Sequence, residues 1–76
     1  MIVLYGAEWC PGCQTQKRWL EQNDINFEYR DVDEPKWAKV LSEANIRSVP
    51  VLIRDGKMYT DLSLTEFVSL LRDEQR

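Results

Sequence analysis

The chain has two cysteines and no histidine, and both thiols fall in one tetrapeptide, Cys10-Pro11-Gly12-Cys13. Thiols at this spacing can close a disulfide, bind half of a metal site, or act as a nucleophile and its resolving partner. The last use requires Cys10 to sit at the start of a helix. There it meets unpaired backbone N–H groups and the positive end of the helix dipole, which lower its pKa below the free-thiol value of about 8.5. Cys13, one turn later and turned toward the protein, is then placed to resolve the mixed disulfide that Cys10 forms. Pro11-Gly12 keeps the turn tight and is expected to leave the nucleophile uncovered. A structural staple gains little, about 2 kcal/mol for so short a loop. A structural zinc site needs four ligands, and no His or third Cys is present to complete one. Two other classes stay open at this point. One is an iron–sulfur or metal carrier in which Cys10 of two chains shares the centre; the other is a redox-sensing adaptor that binds a partner without turnover.

The elements around the motif are those that would place Cys10 at a helix start. Residues 2–6, Ile-Val-Leu-Tyr-Gly, form a short apolar run that predicts a central strand buried on both faces. After the loop Ala7-Glu8-Trp9, Cys10 stands at an N-cap and Pro11 at the first helical position, where its missing N–H costs nothing. This helix is expected to reach Gln22 and stop near Asn23-Asp24, with a thin apolar face of Cys13, Trp19 and Leu20 and the stems of Gln16 and Lys17. Residues 25–30 alternate apolar and polar, the period of a half-buried strand. Asp33 or Glu34 precedes Pro35 at the start of a second helix, whose apolar stripe is Trp37, Val40, Leu41 and Ala44, ending at Asn45. The apolar run 49–53, then Asp55-Gly56, then 57–60 reads as a hairpin with an edge strand. Leu64, Phe67, Val68 and Leu71 mark a last helix, capped by Ser63 or Asp61; residues 73–76 are expected to fray. Trp37 and Phe67 are expected in the core.

The order is β-α-β-α-β-β-α, an α/β chain with a four-stranded mixed sheet and helices on both faces, the minimal thioredoxin-like arrangement. At 76 residues the chain is read as one domain, 1–76, able to bury roughly 60% of its unfolded surface. The net charge of −3, with basic residues dispersed, argues against nucleic acid as a partner. No apolar run has membrane-spanning length and no signal peptide is visible, so a cytoplasmic setting is expected, where such a cysteine pair is catalytic or metal-binding more often than a structural staple. A second constellation is Ser48-Val49-Pro50. Pro50 either marks a strand start, where a missing donor is tolerated, or follows a cis bond that turns the backbone of Val49 outward to meet an extended peptide. The residues alone do not choose between these.

Taken together, Cys10-Pro11-x-Cys13, Lys17 seven residues after the first cysteine, Ser48-Val49-Pro50 in place of Thr-Val-Pro, and Thr60-Asp61 before the last helix resemble a small glutaredoxin of the thioredoxin-like superfamily. The resemblance spans almost the whole chain. It implies thiol–disulfide exchange by a dithiol mechanism, Cys10 as nucleophile, Cys13 as resolving thiol and a cis Pro50. It also implies a substrate- or glutathione-binding set of Trp9, Pro11, Lys17, Ser48, Val49, Pro50, Thr60 and Asp61. Within that set Trp9 reads as an apolar docking platform and Lys17 as electrostatic support for the thiolate; Arg47 reads as a surface charge.

Departures bear on the reductant. Ala7-Glu8-Trp9-Cys10 resembles the approach to a thioredoxin site. Ala7 replaces a basic residue, and Glu8 would oppose ionisation of the thiol. Gly12 stands where Tyr is usual, and Tyr59 replaces glycine where a glutathione backbone would approach, so its bulk is expected to hinder glutathione. The chain also resembles the glutaredoxin-like hydrogen donors of ribonucleotide reductase, some of which are reduced by thioredoxin reductase. The expectation is therefore a monomer with no bound cofactor. Its partners would be disulfide-bearing proteins, ribonucleotide reductase among them, and its external reductant glutathione or thioredoxin reductase with NADPH.

Overall fold

The computed structural model describes residues 1–74. Its centre is β1 (Ile2–Gly6), in which every residue is buried. This strand runs parallel to β2 (Glu28–Asp31) on one side and antiparallel to β3 (Val51–Arg54) on the other, and β3 pairs antiparallel with β4 (Lys57–Thr60). The sheet order β2-β1-β3-β4 is the expected mixed sheet. Strand alternation divides the core in two. Ile2 and Leu4 meet Leu20, Leu52, Phe67 and Leu71, from α1 (Pro11–Gln22), β3 and α3 (Leu64–Leu71), and Ile25 from the segment after α1. Val3 and Tyr5 point the other way, to Leu41 and Trp37 of α2 (Pro35–Glu43) and to Val51. A continuous apolar run is required because both faces of β1 are covered.

Edge-to-face aromatic pairs tie each helix layer to its neighbours. Tyr5 and Trp37 have centroids 6.1 Å apart, and Trp19 and Phe67 5.8 Å. Arg30 lies over the Trp37 ring at 4.4 Å, donates to the Tyr5 hydroxyl at 2.7 Å and pairs with Glu28, bracing β2 against α2. The β3–β4 hairpin turns at Asp55 (φ 50°) and Gly56 (φ 82°), both left-handed as Asp-Gly hairpins require. Asp55 also receives the N-terminal ammonium at 2.9 Å, which holds its carboxyl below the usual range.

Several expectations need correction. β2 starts at Glu28 rather than at residue 25. Asp24 adopts φ 54° and the Ile25 N–H closes on Leu20 O at 3.1 Å, so this segment terminates α1 while the Ile25 side chain plugs the core. On α2, Leu41 is buried and Trp37 half-buried, but Val40 and Ala44 are exposed. After left-handed Asn45 the chain folds back, with Ile46 N–H on Leu41 O at 2.9 Å, and Ile46 takes the place in the core cluster that the stripe assigned to Ala44. Leu64 is likewise exposed and Val68 half-buried, leaving Phe67 and Leu71 as the buried anchors of α3. Arg72–Glu74 continue as a short 3-10 helix in which Asp73 and Glu74 bind Arg54 at 2.7 and 3.4 Å, so they do not fray; Gln75 and Arg76 lie outside the described residues. Tyr59, half-buried, packs against the core cluster on the α1/α3 face.

Ser63 is the α3 cap. Its hydroxyl accepts from Glu66 N–H at 3.1 Å while Glu66 accepts from Ser63 N–H at 2.9 Å, a complete capping box. Ser63→Ala is expected to cost about 1 kcal/mol, read as a lower urea midpoint at unchanged slope. The same Ser63 N–H holds the Glu66 carboxyl below its ordinary value. A depressed carboxyl stabilises the fold above its unfolded pKa and loses that contribution as pH falls through the folded one. Glu66→Gln should accordingly flatten the acid limb of the stability profile.

Candidate active site

The end of β1 delivers the chain into Ala7-Glu8-Trp9, and this loop is tied down from both sides. Ala7 is fully buried, and its carbonyl accepts from Cys10 N–H at 3.2 Å and from Gln14 Nε2 at 3.0 Å. Trp9 Nε1 donates to Asp33 Oδ1 at 3.1 Å. Cys10 is therefore set at the N-cap of α1 in extended conformation (φ −100°, ψ 106°), with Pro11 at the first helical position. Its sulfur accepts the N–H of Cys13 at 3.2 Å, the bond a capping oxygen would make. A thiolate at this atom would receive the same N–H as a charge-assisted hydrogen bond. No acidic residue occupies the first turn of α1 to offset the dipole.

Cys10 and Cys13 are joined as a disulfide, with Cα atoms 5.3 Å apart. Cys13 is fully buried, as expected of the inner thiol. Cys10 is not uncovered as the motif suggested: the residue is 7% exposed, packed with Ala7, Cys13, Val32 and Val49. A groove lies next to this cluster and shares Val32 and Val49 with it.

That groove, about 200 Å³, is lined by Trp9, Val32, Leu41, Ile46, Ser48 and Val49, with exposed Arg47 at its margin. Trp9 is 66% exposed and forms one wall. The Val49–Pro50 bond is cis, and Val49 O lies 3.7 Å from Cys10 Sγ. Pro50 faces the motif: a Cβ on Gly12 would come 3.8 Å from Pro50 Cδ. Of the expected residues, Trp9 and Pro11 flank Cys10 in the chain, Val49 and Pro50 lie against the cysteine motif, and Ser48 lines the groove. Thr60 pairs with Val51 at the end of β4, and Asp61 follows at φ 58°; the described hydrogen bonds join neither to the cysteines. Lys17 places Nζ 4.4 Å above the Tyr29 ring. Among the described residues no group of three or more His, Cys, Asp and Glu side chains is placed to hold a metal ion.

Asp33 and Gln14 fasten the loop, Asp33 being legible only as a helix-start acid and Gln14 carrying no signal. Gly6 is a third. A Cβ there would stand 2.9 Å from Cys13 Cβ and 3.0 Å from the Tyr29 hydroxyl, so β1 and α1 can approach only because position 6 has no side chain. A strand that ends in glycine immediately before a cysteine motif was the available signal.

The fold has counterparts among known proteins. A Glutaredoxin family model matches residues 2–59. The glutaredoxin-like protein NrdH of Lactococcus lactis subsp. lactis (strain IL1403) is 27% identical over 71 residues, covering 92% of this chain and 99% of that one. The solved glutaredoxin-like NrdH-redoxin from Escherichia coli superposes with a TM-score of 0.74 at 27% identity, covering 91% of this chain and 92% of that chain. The glutaredoxin grx-1 from Archaeoglobus fulgidus gives 0.73 at 27% identity, over 93% and 85%. With its fold, its cysteine pair and the family model in agreement from β1 to β4, the chain belongs to the glutaredoxin family, the thiol–disulfide oxidoreductases of thioredoxin-like fold.

Proposed function

We propose that this chain works as a single-domain dithiol reductase of protein disulfides. The Cys10 thiolate attacks one sulfur of a substrate disulfide, forming a mixed disulfide and releasing the other sulfur as a thiolate that takes up a proton. Cys13 loses its proton and attacks Cys10 Sγ, which frees the second substrate thiol and leaves the Cys10–Cys13 disulfide. Two electrons from an external reductant restore the dithiol. The observation that carries this reading is Cys10 Sγ at the N-cap of α1, 3.2 Å from the Cys13 N–H and 3.7 Å from Val49 O. The groove between Trp9 and Val49 would seat the residue flanking the substrate cysteine, and the Val49 backbone would pair with an extended substrate strand. Lys17, Thr60 and Asp61 keep the roles that the family resemblance implies.

Protein disulfides, with ribonucleotide reductase as the first to test, fit this groove. For the reductant, thioredoxin reductase with NADPH is favoured over glutathione. The Glu8-Trp9 approach supports this, as does the likeness to an Escherichia coli NrdH-redoxin described as having a thioredoxin-like activity profile. Oxidised protein should accordingly be reduced faster by thioredoxin reductase and NADPH than by glutathione; the opposite order overturns the preference. Cys13→Ser tests the resolving role. It should lower protein-disulfide turnover by about a hundredfold or more, trap substrate on Cys10 as a mixed disulfide visible by mass, and spare monothiol deglutathionylation. Undiminished protein-disulfide turnover in this variant would show that Cys13 does not resolve.

A further inference from the structure

Tyr29 sits in β2 opposite Leu4, on the sheet face that packs against α1. Its hydroxyl is buried and has no hydrogen-bond partner among the described residues. Such a group is costly to leave unmet and calls for a physical account. The neighbouring Gln14 amide is engaged on Ala7 O at 3.0 Å, and Lys17 lies over the ring rather than at the oxygen. Burial is the largest influence on the phenol pKa and pushes it up, as does Asp31; the Gln14 side-chain amide, donating toward the oxygen, pushes it down, and Glu8 and Asp33 add lesser upward pushes. At neutral pH the group is an O–H, a donor in want of an acceptor.

The space it borders identifies the acceptor. A Cβ on Gly6 would stand 3.0 Å from the Tyr29 hydroxyl and 2.9 Å from Cys13 Cβ, so both side chains border the notch left by the missing side chain at position 6. In the disulfide, Cys13 sulfur is a weak acceptor. When two electrons break the Cys10–Cys13 bond, that sulfur becomes a fully buried thiol, and the thiolate it must become to attack Cys10 needs a donor.

We infer that Tyr29 is a positioning residue for the resolving cysteine: in the dithiol form its hydroxyl, keeping its own proton throughout, donates a hydrogen bond to Cys13 Sγ. The inference rests on the proposed cycling of Cys10 and Cys13 between disulfide and dithiol. The hydroxyl then favours the reduced form, being unmet in the disulfide and satisfied in the dithiol.

Tyr29→Phe removes the hydroxyl and keeps the ring. Wild type and variant are each equilibrated with glutathione redox buffers, and the oxidised fraction is read by mass after alkylation of free thiols. The variant's equilibrium is expected to move about tenfold toward the disulfide, which is about 30 mV for a two-electron couple. Thermal unfolding gives a second reading: the oxidised variant should be no less stable than oxidised wild type, and the reduced variant less stable than reduced wild type. A role in packing alone would move both forms together and leave the potential where it was; that outcome overturns the inference. Should wild type itself fail to equilibrate, the dithiol reading falls and this inference with it. Should wild type equilibrate and the variant match it, only this inference falls.

Discussion

Cys10→Ser is expected to lower disulfide reduction by at least about a thousandfold while leaving the fold intact. The two halves of this expectation have separate physical grounds. A serine hydroxyl is un-ionised at neutral pH and is no nucleophile toward disulfide sulfur, so no mixed disulfide can form and Cys13 has nothing to resolve. The structural job of Cys10, accepting the Cys13 N–H at the start of α1, is one that serine performs well, being among the preferred N-caps. The variant should therefore keep its far-ultraviolet dichroism while losing turnover in an insulin-reduction assay and with a ribonucleotide-reductase disulfide. Turnover retained at a tenth of wild type or more would remove Cys10 from the nucleophile's role.

Phe67→Ala is expected to destabilise the fold by about 3–5 kcal/mol. The ring is fully buried where three elements converge: it meets Trp19 of α1 edge-on at 5.8 Å and shares a cluster with Leu4 of β1 and Leu52 of β3. Removing it leaves a cavity that neighbours anchored to the sheet cannot fill. A chain of this length has a total stability of about 4–11 kcal/mol, so the loss is a large share of it. Chemical denaturation should show a much lower midpoint at similar slope, and at 37 °C the variant should be partly unfolded. A shift below about 1 kcal/mol would mean that α3 is not the lid of this core.

These effects fall on different layers, which explains how unevenly the protein could be read beforehand. The cysteine pair, Pro11 as first helical residue, β1 and the Asp55-Gly56 turn are local: spacing, propensity and left-handed backbone demands act within a few residues. Helix faces were less legible. Val40 and Ala44 match the period of a buried stripe, yet α2 presents only a narrow line to the sheet and Ile46 folds back to finish it. Ile25 alternates like a strand residue but closes the end of α1, because a hydrogen bond to Leu20 O competes with strand pairing. Trp9 was expected as a platform, and the structure adds what steadies it, a bond to Asp33 across 24 positions of chain.

By itself, then, the sequence determined the fold class, the order of elements and the atoms able to exchange disulfides, because these follow from residue types at short spacing. Only the tertiary structure decided what surrounds those atoms. It placed Val49 O beside Cys10 Sγ, enclosed Cys10 among Ala7, Val32 and Val49, and brought the Tyr29 hydroxyl to the notch at Gly6 behind Cys13. The physical reason is that these neighbours come from β1 and β2, the residues just after them, and the segment before β3, up to 39 positions from Cys10. No local preference specifies such contacts; they exist once the sheet has formed and both of its faces are covered.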